Sequence, residues 1–331
     1  MAVLTSEIKL YRAAESSDLD SNGGRLSSNL VPSGVQNGIF PDVTQAQRVA
    51  GHVTYRKAFA KVENPNEEVL QNAFVFLDNT TPGQDMMTVF AGTATDVQSD
   101  STADGESDSE RHYGVGQLSS TVNSGVTSIT VQVEDASSET IYEVGDIIRI
   151  SDGSNETLRT LTSVSFSGNV ATLGFTGGLA TGYAASNTFV ASGLPLGNIG
   201  ATVTQANNAS SSSGSVDITN FPITPDATGG VDDTWTVTFT SATAFSVSGA
   251  ATGSVGAGTV AGAFSPNNPD FSAPYFSIPS GFWSGTFANS DSYTFSTASA
   301  SAAFWYKRRV PAGSAANAAN VQTTRISGET A

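Results

Sequence analysis

The sequence contains no cysteine, only two histidines (His52 and His112) and only 14 lysines and arginines in 331 residues. Without cysteine there is no disulfide framework, thiol nucleophile, thiolate zinc site or iron–sulfur cluster; the compartment stays open. With two histidines, at the start of a strand-like run and after an acidic stretch, a Ser-His-Asp arrangement has little to draw on, and no Gly-x-Ser-x-Gly elbow occurs. No Gly-Lys dipeptide exists, which removes a Walker loop. No uninterrupted apolar run reaches the length of about 18 residues that spans a bilayer, so no membrane partner is expected. Residues 1–12 lack a basic region followed by an apolar core, so no signal peptide is expected. Thirty acidic residues against 14 basic ones give a net charge of −16. That balance argues against specific nucleic-acid binding, which requires cations to displace the counterions of the phosphates.

What the chain does contain points to sheet. Val, Ile, Leu and Phe total 73 residues, enough for real cores, and Val outnumbers Leu 29 to 14. Branched and aromatic side chains beside abundant Ser, Thr and Gly suit a pleated surface better than a helix. The expected fold is mainly β: several small antiparallel sandwich- or barrel-like domains with extended termini and little helix.

Three blocks follow from the patterning. In residues 1–115, Pro41-Asp42 ahead of VTQAQRVA and Gly51 reads as a short helix with an Asp cap and a glycine stop. His52 to Val62 and Val69 to Leu77 read as strands, and the block closes on an acidic stretch, Asp96, Asp100, Asp104, Glu106, Asp108 and Glu110, expected to be an exposed loop. In residues 116–194, Ile129, Val131 and Val133 alternate with polar residues, and Ile147 to Ile150, Glu156 to Phe166 and Val170 to Phe175 are separated by turn sequences, giving an antiparallel meander. In residues 195–331, Trp235, Val237 and Phe239 alternate with threonines; Tyr275 to Ile278, Ser292 to Ser296 and Ala302 to Val310 are further strands, and the tail after Pro311 is expected to be extended. No basic residue lies between Arg159 and Lys307, and from Thr234 to Tyr306 only Asp270 and Asp291 are charged. The aromatics packed into that stretch exclude a linker; its neutral surface is suited to being covered by another subunit.

Candidate chemistry is sparse. Asp18 to Gly23 reproduces the first half of an EF-hand loop, but Asn29 stands where the bidentate Glu belongs, so a tight turn at Asn22-Gly23-Gly24 is the better reading. Asp104 to Glu110 reads as a solvated acidic loop, and Gly256 to Ala261 as a flexible turn, not a dinucleotide loop. No catalytic residue, cofactor or metal is assigned. Lys307-Arg308-Arg309 beside Phe304, Trp305 and Tyr306 is the one basic–aromatic cluster, and Arg with aromatics is what protein interfaces enrich.

Several stretches together resemble structural proteins of contractile-tailed bacteriophages: SNGGRLS (21–27), GIFPDV (38–43), RVAG (48–51), TYRKAF (54–59), GDIIRI (145–150), NPD through PYF (268–276), WSGT (283–286) and KRRVPAG (307–313). One departure is Ala288-Asn289-Ser290-Asp291, where the family pattern has a Gly-Asp turn. The resemblance implies a non-enzymatic virion protein, assembled in the host cytoplasm, that forms a neck or collar ring joining head and tail and seats tail components. The alternatives are another tail, baseplate or capsid-decoration component, or a carbohydrate-binding or receptor-adhesion module. The implied partners are further copies in a ring of about 6 or 12 and other neck or tail proteins, around a lumen through which DNA could pass; acidic residues lining it would repel that DNA. The subunit-interface candidates are Asn22, Gly23, Gly24, Arg25, Tyr55, Arg56, Trp283, Trp305, Lys307, Arg308 and Arg309. In that reading Gly23 and Gly24 adopt positive φ and Arg25 pairs with a neighbour's carboxylate.

Overall fold

The computed structural model describes residues 2–101, 111–135, 140–206, 209–210, 213–318 and 320–330. The regular structure is nearly all β, 49% strand against 4% helix, and is arranged as several small antiparallel units.

The first unit, a platform, is built from both ends of the chain. Its five-stranded sheet runs in the order Gly23–Leu30, Ile8–Glu15, His52–Val62, Ser301–Val310, Met86–Ala91. A three-stranded sheet, Leu194–Ile199, Leu70–Leu77, Thr324–Thr330, packs with it around one apolar core. Strand alternation explains the division of side chains. Ala58, Ala60 and Val62, with Phe304 and Tyr306, enter that shared core. Tyr55, Lys57, Phe59 and Lys61, with Ala303 and Trp305, occupy the alternate positions and join separate clusters on the other side. Both faces of His52–Val62 are therefore covered, and its lysines are buried with it.

Two further units are inserted into this platform. Between Met86–Ala91 and Leu194–Ile199 the chain forms a closed six-stranded barrel in the order Val170–Phe175, Ser128–Gln132, Val115–Leu118, Phe189–Ser192, Ile147–Ser151, Glu156–Ser167. Closure removes open sheet edges. The alternating Ile129 and Val131 fill its interior with Ile148, Ile150, Leu173 and Val190, and the Tyr142 hydroxyl donates to the Val190 carbonyl at 2.6 Å. The barrel is tied to the platform by Arg149, whose guanidinium lies 2.6 Å from Asp78. Between Leu194–Ile199 and Ser301–Val310 lies a second body, with a five-stranded sheet in the order Thr202–Thr204, Ser292–Ala298, Asp233–Phe239, Ala244–Gly249, Gly253–Thr259. Trp235, Val237 and Phe239 point inward against Phe276, Phe282, Trp283 and Phe287.

The structure redraws several expectations. The block 195–331 is divided: its last thirty or so residues belong to the platform, because Ser301–Val310 inserts between His52–Val62 and Met86–Ala91, and the tail after Pro311 ends in the strand Thr324–Thr330. The meander closes into a barrel through pairing of Glu156–Ser167 with Val170–Phe175 and of Ser128–Gln132 with Val115–Leu118. The short helix is Gln45–Ala50, capped by Thr44 instead of Asp42, because Gln47 completes a capping box with Thr44; Gly51 (φ 79°) does end it. Of Tyr275–Ile278 only Phe276–Ser277 pairs as strand. Gly256 lies inside the edge strand Gly253–Thr259, so the loose dinucleotide pattern is sheet. Asp104 to Glu110 lies outside the described residues.

Candidate functional site

The platform carries all of the residues singled out from the sequence except Trp283, and the cluster begins with a turn. Gly23 (φ 113°) and Gly24 (φ 80°) adopt the positive φ expected of them. A side chain on Gly23 would place its Cβ 2.7 Å from the Trp305 ring and 2.9 Å from the Asp96 carbonyl, so only glycine fits. This close approach lets the Gly24 N–H reach the Asp96 carbonyl at 2.8 Å. Asn22 is fully buried; its amide donates to the Tyr55 carbonyl and to Gln98 Oε1, both at 3.0 Å.

Lys57 sits beneath that turn with no side-chain exposure. Its ammonium donates to the Gly24 carbonyl (2.6 Å) and the Asp96 carbonyl (2.9 Å) and lies 2.6 Å from Asp96 Oδ1. The Trp305 indole N–H donates to the other carboxylate oxygen at 2.8 Å, and the Thr93 N–H donates to Oδ1 at 3.0 Å. Burial lowers the Lys57 pKa, and the Asp96 carboxylate opposes that shift without cancelling it. Trp305 stacks on Phe90 with centroids 6.2 Å apart, and Tyr55 meets the same Phe90 edge-on.

Arg56 donates to the carbonyls of Ser17 and Tyr55 and to Asp18, each at 2.6 Å. Arg308 donates to the Pro41 carbonyl at 3.0 Å and lies over the Phe40 ring at 4.6 Å. Lys307 is buried, 5.9 Å from the Tyr55 ring, and Arg309 pairs with Asp135 at 2.7 Å. Arg25 stays exposed, but its guanidinium donates to the Asp232 carbonyl of the second body at 2.6 Å.

Most of the interface candidates are therefore internal contacts. Asn22, Gly23, Tyr55, Arg56, Trp305, Lys307 and Arg308 are buried within one chain, and Trp283 is a core residue of the second body, wedged edge-on against Phe239, Phe282 and Phe287. The physical reason is the return of the C-terminal strand: Lys57 and Trp305 are direct cross-strand partners, as are Tyr55 and Lys307. Arg25 donates to a backbone carbonyl of its own chain.

Two residues outside that set hold the units together. Lys61, fully buried in the same strand, donates to the Ala227 carbonyl of the second body at 2.7 Å and lies 4.9 Å from the Phe271 ring. Burial lowers its pKa to about 8. Glu67 lies near the same residue: burial raises its pKa, and the Ala227 backbone opposes that shift. The signal was present in the sequence: lysines at alternate positions of an otherwise apolar strand can only point into a lined pocket or a neighbour.

His112 is buried against Phe90, with Nδ1 3.0 Å from the Thr88 hydroxyl, and His52 begins its strand. Asp18, the first residue of the EF-hand-like run, is engaged with Arg56. Among the described residues no group of three His, Asp or Glu side chains gathers into a metal site.

The sequence matches no family model and no curated protein. Among solved structures, FlgL from Xanthomonas campestris, in two crystal forms, aligns at 19% identity over 31% of this chain with a TM-score of 0.21, and the alignment spans 29% of the FlgL chain. VP17, a capsid protein of bacteriophage P23-77, aligns over 84% of this chain and 91% of its own at 10% identity and a TM-score of 0.19. Scores at this level establish no common fold.

Proposed function

We propose that this chain is a non-enzymatic virion structural protein that assembles into a ring at the head–tail junction of a contractile-tailed phage and seats tail components there. The observation that supports it best is where the family-like stretches meet. Gly23 packs on Trp305, Lys57 holds Gly24, Arg308 reaches Pro41, and the Gly313 N–H donates to the Arg48 carbonyl at 2.7 Å. Stretches from opposite ends of the sequence thus constitute one platform, while the barrel and the second body are insertions within it. A rigid platform with projecting β units is a form suited to repeated symmetric contacts.

The carbohydrate-binding alternative requires aromatic faces open to solvent. All three tryptophans are buried, and the exposed rings Phe166 and Phe221 lie in different units. That favours the assembly reading. Immunogold labelling of intact particles with antibody to this chain tests it: label at the head–tail junction is expected. Label over the shell or at the tail tip would place the chain in another structural role, and binding of the isolated protein to host cells or glycans without label on particles would replace the reading with an adhesion module.

A further inference from the structure

We propose that Lys57 and Asp96 condense into an intramolecular amide bond, making this pair a self-modification site at the centre of the platform. The inference does not depend on where the chain sits in a particle. The reacting groups are already in contact, with Nζ 2.6 Å from Oδ1, and neither has much access to water: the lysine side chain is wholly buried and that of Asp96 is 12% exposed. Held reactants of this kind react as though at very high local concentration.

The hydrogen bonds suit the neutral pair as well as the charged one. An ammonium has three N–H groups, and here they meet two backbone carbonyls and one carboxylate oxygen. When the third proton passes to Oδ1, the two remaining N–H groups still satisfy the carbonyls of Gly24 and Asp96. The lone pair left behind accepts from the new Oδ1–H, and a small rotation about the Asp96 side chain brings Cγ within its reach. Burial favours that transfer, since it disfavours the charged amine. The rings of Phe59 and Trp305, 5.0 and 5.9 Å from Nζ, keep the surroundings poor in water.

The step balances without a co-reactant. Nζ attacks Asp96 Cγ and forms the C–N bond. Negative charge develops on Oδ2, which receives the Trp305 indole N–H at 2.8 Å, a donor placed as an oxyanion stabiliser is. Oδ1, which receives the Thr93 N–H, takes the proton that Nζ loses on bond formation in addition to the one already transferred, and leaves as water. Ammonium and carboxylate thus become amide plus one water, with no change of oxidation state. In a chain without cysteine the product would do what a disulfide does elsewhere, closing the loop between residues 57 and 96 and restricting the unfolded chain.

Intact-mass measurement of the purified, denatured full-length chain tests this. The expected mass is one water below that of the sequence, after allowing for removal of Met1, and proteolysis should yield a branched peptide joining the segments that carry Lys57 and Asp96. Lys57→Met and Asp96→Ala should each restore the full sequence mass, whether or not they fold as well as the parent. A parent chain at its full sequence mass would overturn the proposal, and so would a loss of water mapped to any other residues.

Discussion

The platform and the second body are both antiparallel sheets packed on an apolar layer, yet they are secured by opposite chemistries. In the platform, Lys57, Lys61, Arg56 and Arg308 are carried into the interior and bonded to carbonyls or carboxylates of distant segments. In the second body, where no lysine or arginine occurs, the same task falls to Trp235, Phe239, Phe245, Phe276, Trp283 and Phe287, with Phe239 stacked on Phe287 at 3.9 Å. Aromatic packing is stabilising but tolerant of direction. Buried cations add little net stability, because desolvation offsets attraction, but each demands particular acceptors at particular places. The platform must bring seven or more separate segments into one arrangement, so specificity is what it needs; the second body folds largely from one continuous stretch and can rely on burial.

That contrast can be broken at either side. The largest effect is expected from Asp96→Ala, which deprives buried Lys57 of its partner, whether ion-paired or amide-linked, and the Trp305 N–H of its acceptor: a loss of about 5 kcal/mol, read as faster hydrogen exchange in the platform strands with the second body unaffected. Phe239→Ala removes the centre of the aromatic cluster and should cost about 4 kcal/mol, with the pattern of exchange reversed. Gly23→Ala, which forces a methyl group against Trp305 at a positive φ, should destabilise the platform by about 1–3 kcal/mol in urea unfolding.

A pH series sharpens the comparison further. The Lys61 pKa is about 8 in the folded protein against 10.5 when unperturbed, so between those values the unfolded chain binds more protons. Stability should therefore rise through that interval as the cost of the buried charge disappears. The difference between the parent and Lys61→Met should show this rise; a difference that is flat from pH 8 to 10.5 would contradict it. The smallest effect is expected at Ser290, a non-glycine residue that holds φ 74° in the turn before Ser292–Ala298. Ser290→Gly should stabilise the second body by at most ~1 kcal/mol.

How much of this was legible in the sequence follows the same division. Period-two strands such as Ser128–Gln132 and Asp233–Phe239 were readable because alternation assigns each side chain a face. Alternation does not assign a partner, so nothing in Ser301–Val310 revealed that it pairs with His52–Val62 across the whole length of the chain. For the same reason Lys307-Arg308-Arg309 reads from sequence as a contact-forming element without naming its partner: cations among aromatics look alike whether the covering surface belongs to another chain or, as for Arg308 on Pro41 and Arg309 on Asp135, to a distant part of the same one. Trp283 draws attention through the WSGT stretch, and the structure makes it a core side chain of the second body. The cap at Thr44 could have been read, since Thr44 and Gln47 have capping-box spacing, whereas Asp42 has no such partner. Arg25 remains the candidate best suited to mutation in assembly tests, because it is exposed and its bond is to a backbone carbonyl.

The central claim is that this chain is a ring-forming part of a virion, and copy number tests it most directly. Quantitative mass spectrometry of purified particles should count this chain against the major shell protein at one ring's worth, about 6 to 12 copies for a closed cyclic assembly. Its absence from purified particles, or a copy number matching that of the shell or tail tube, would contradict the account.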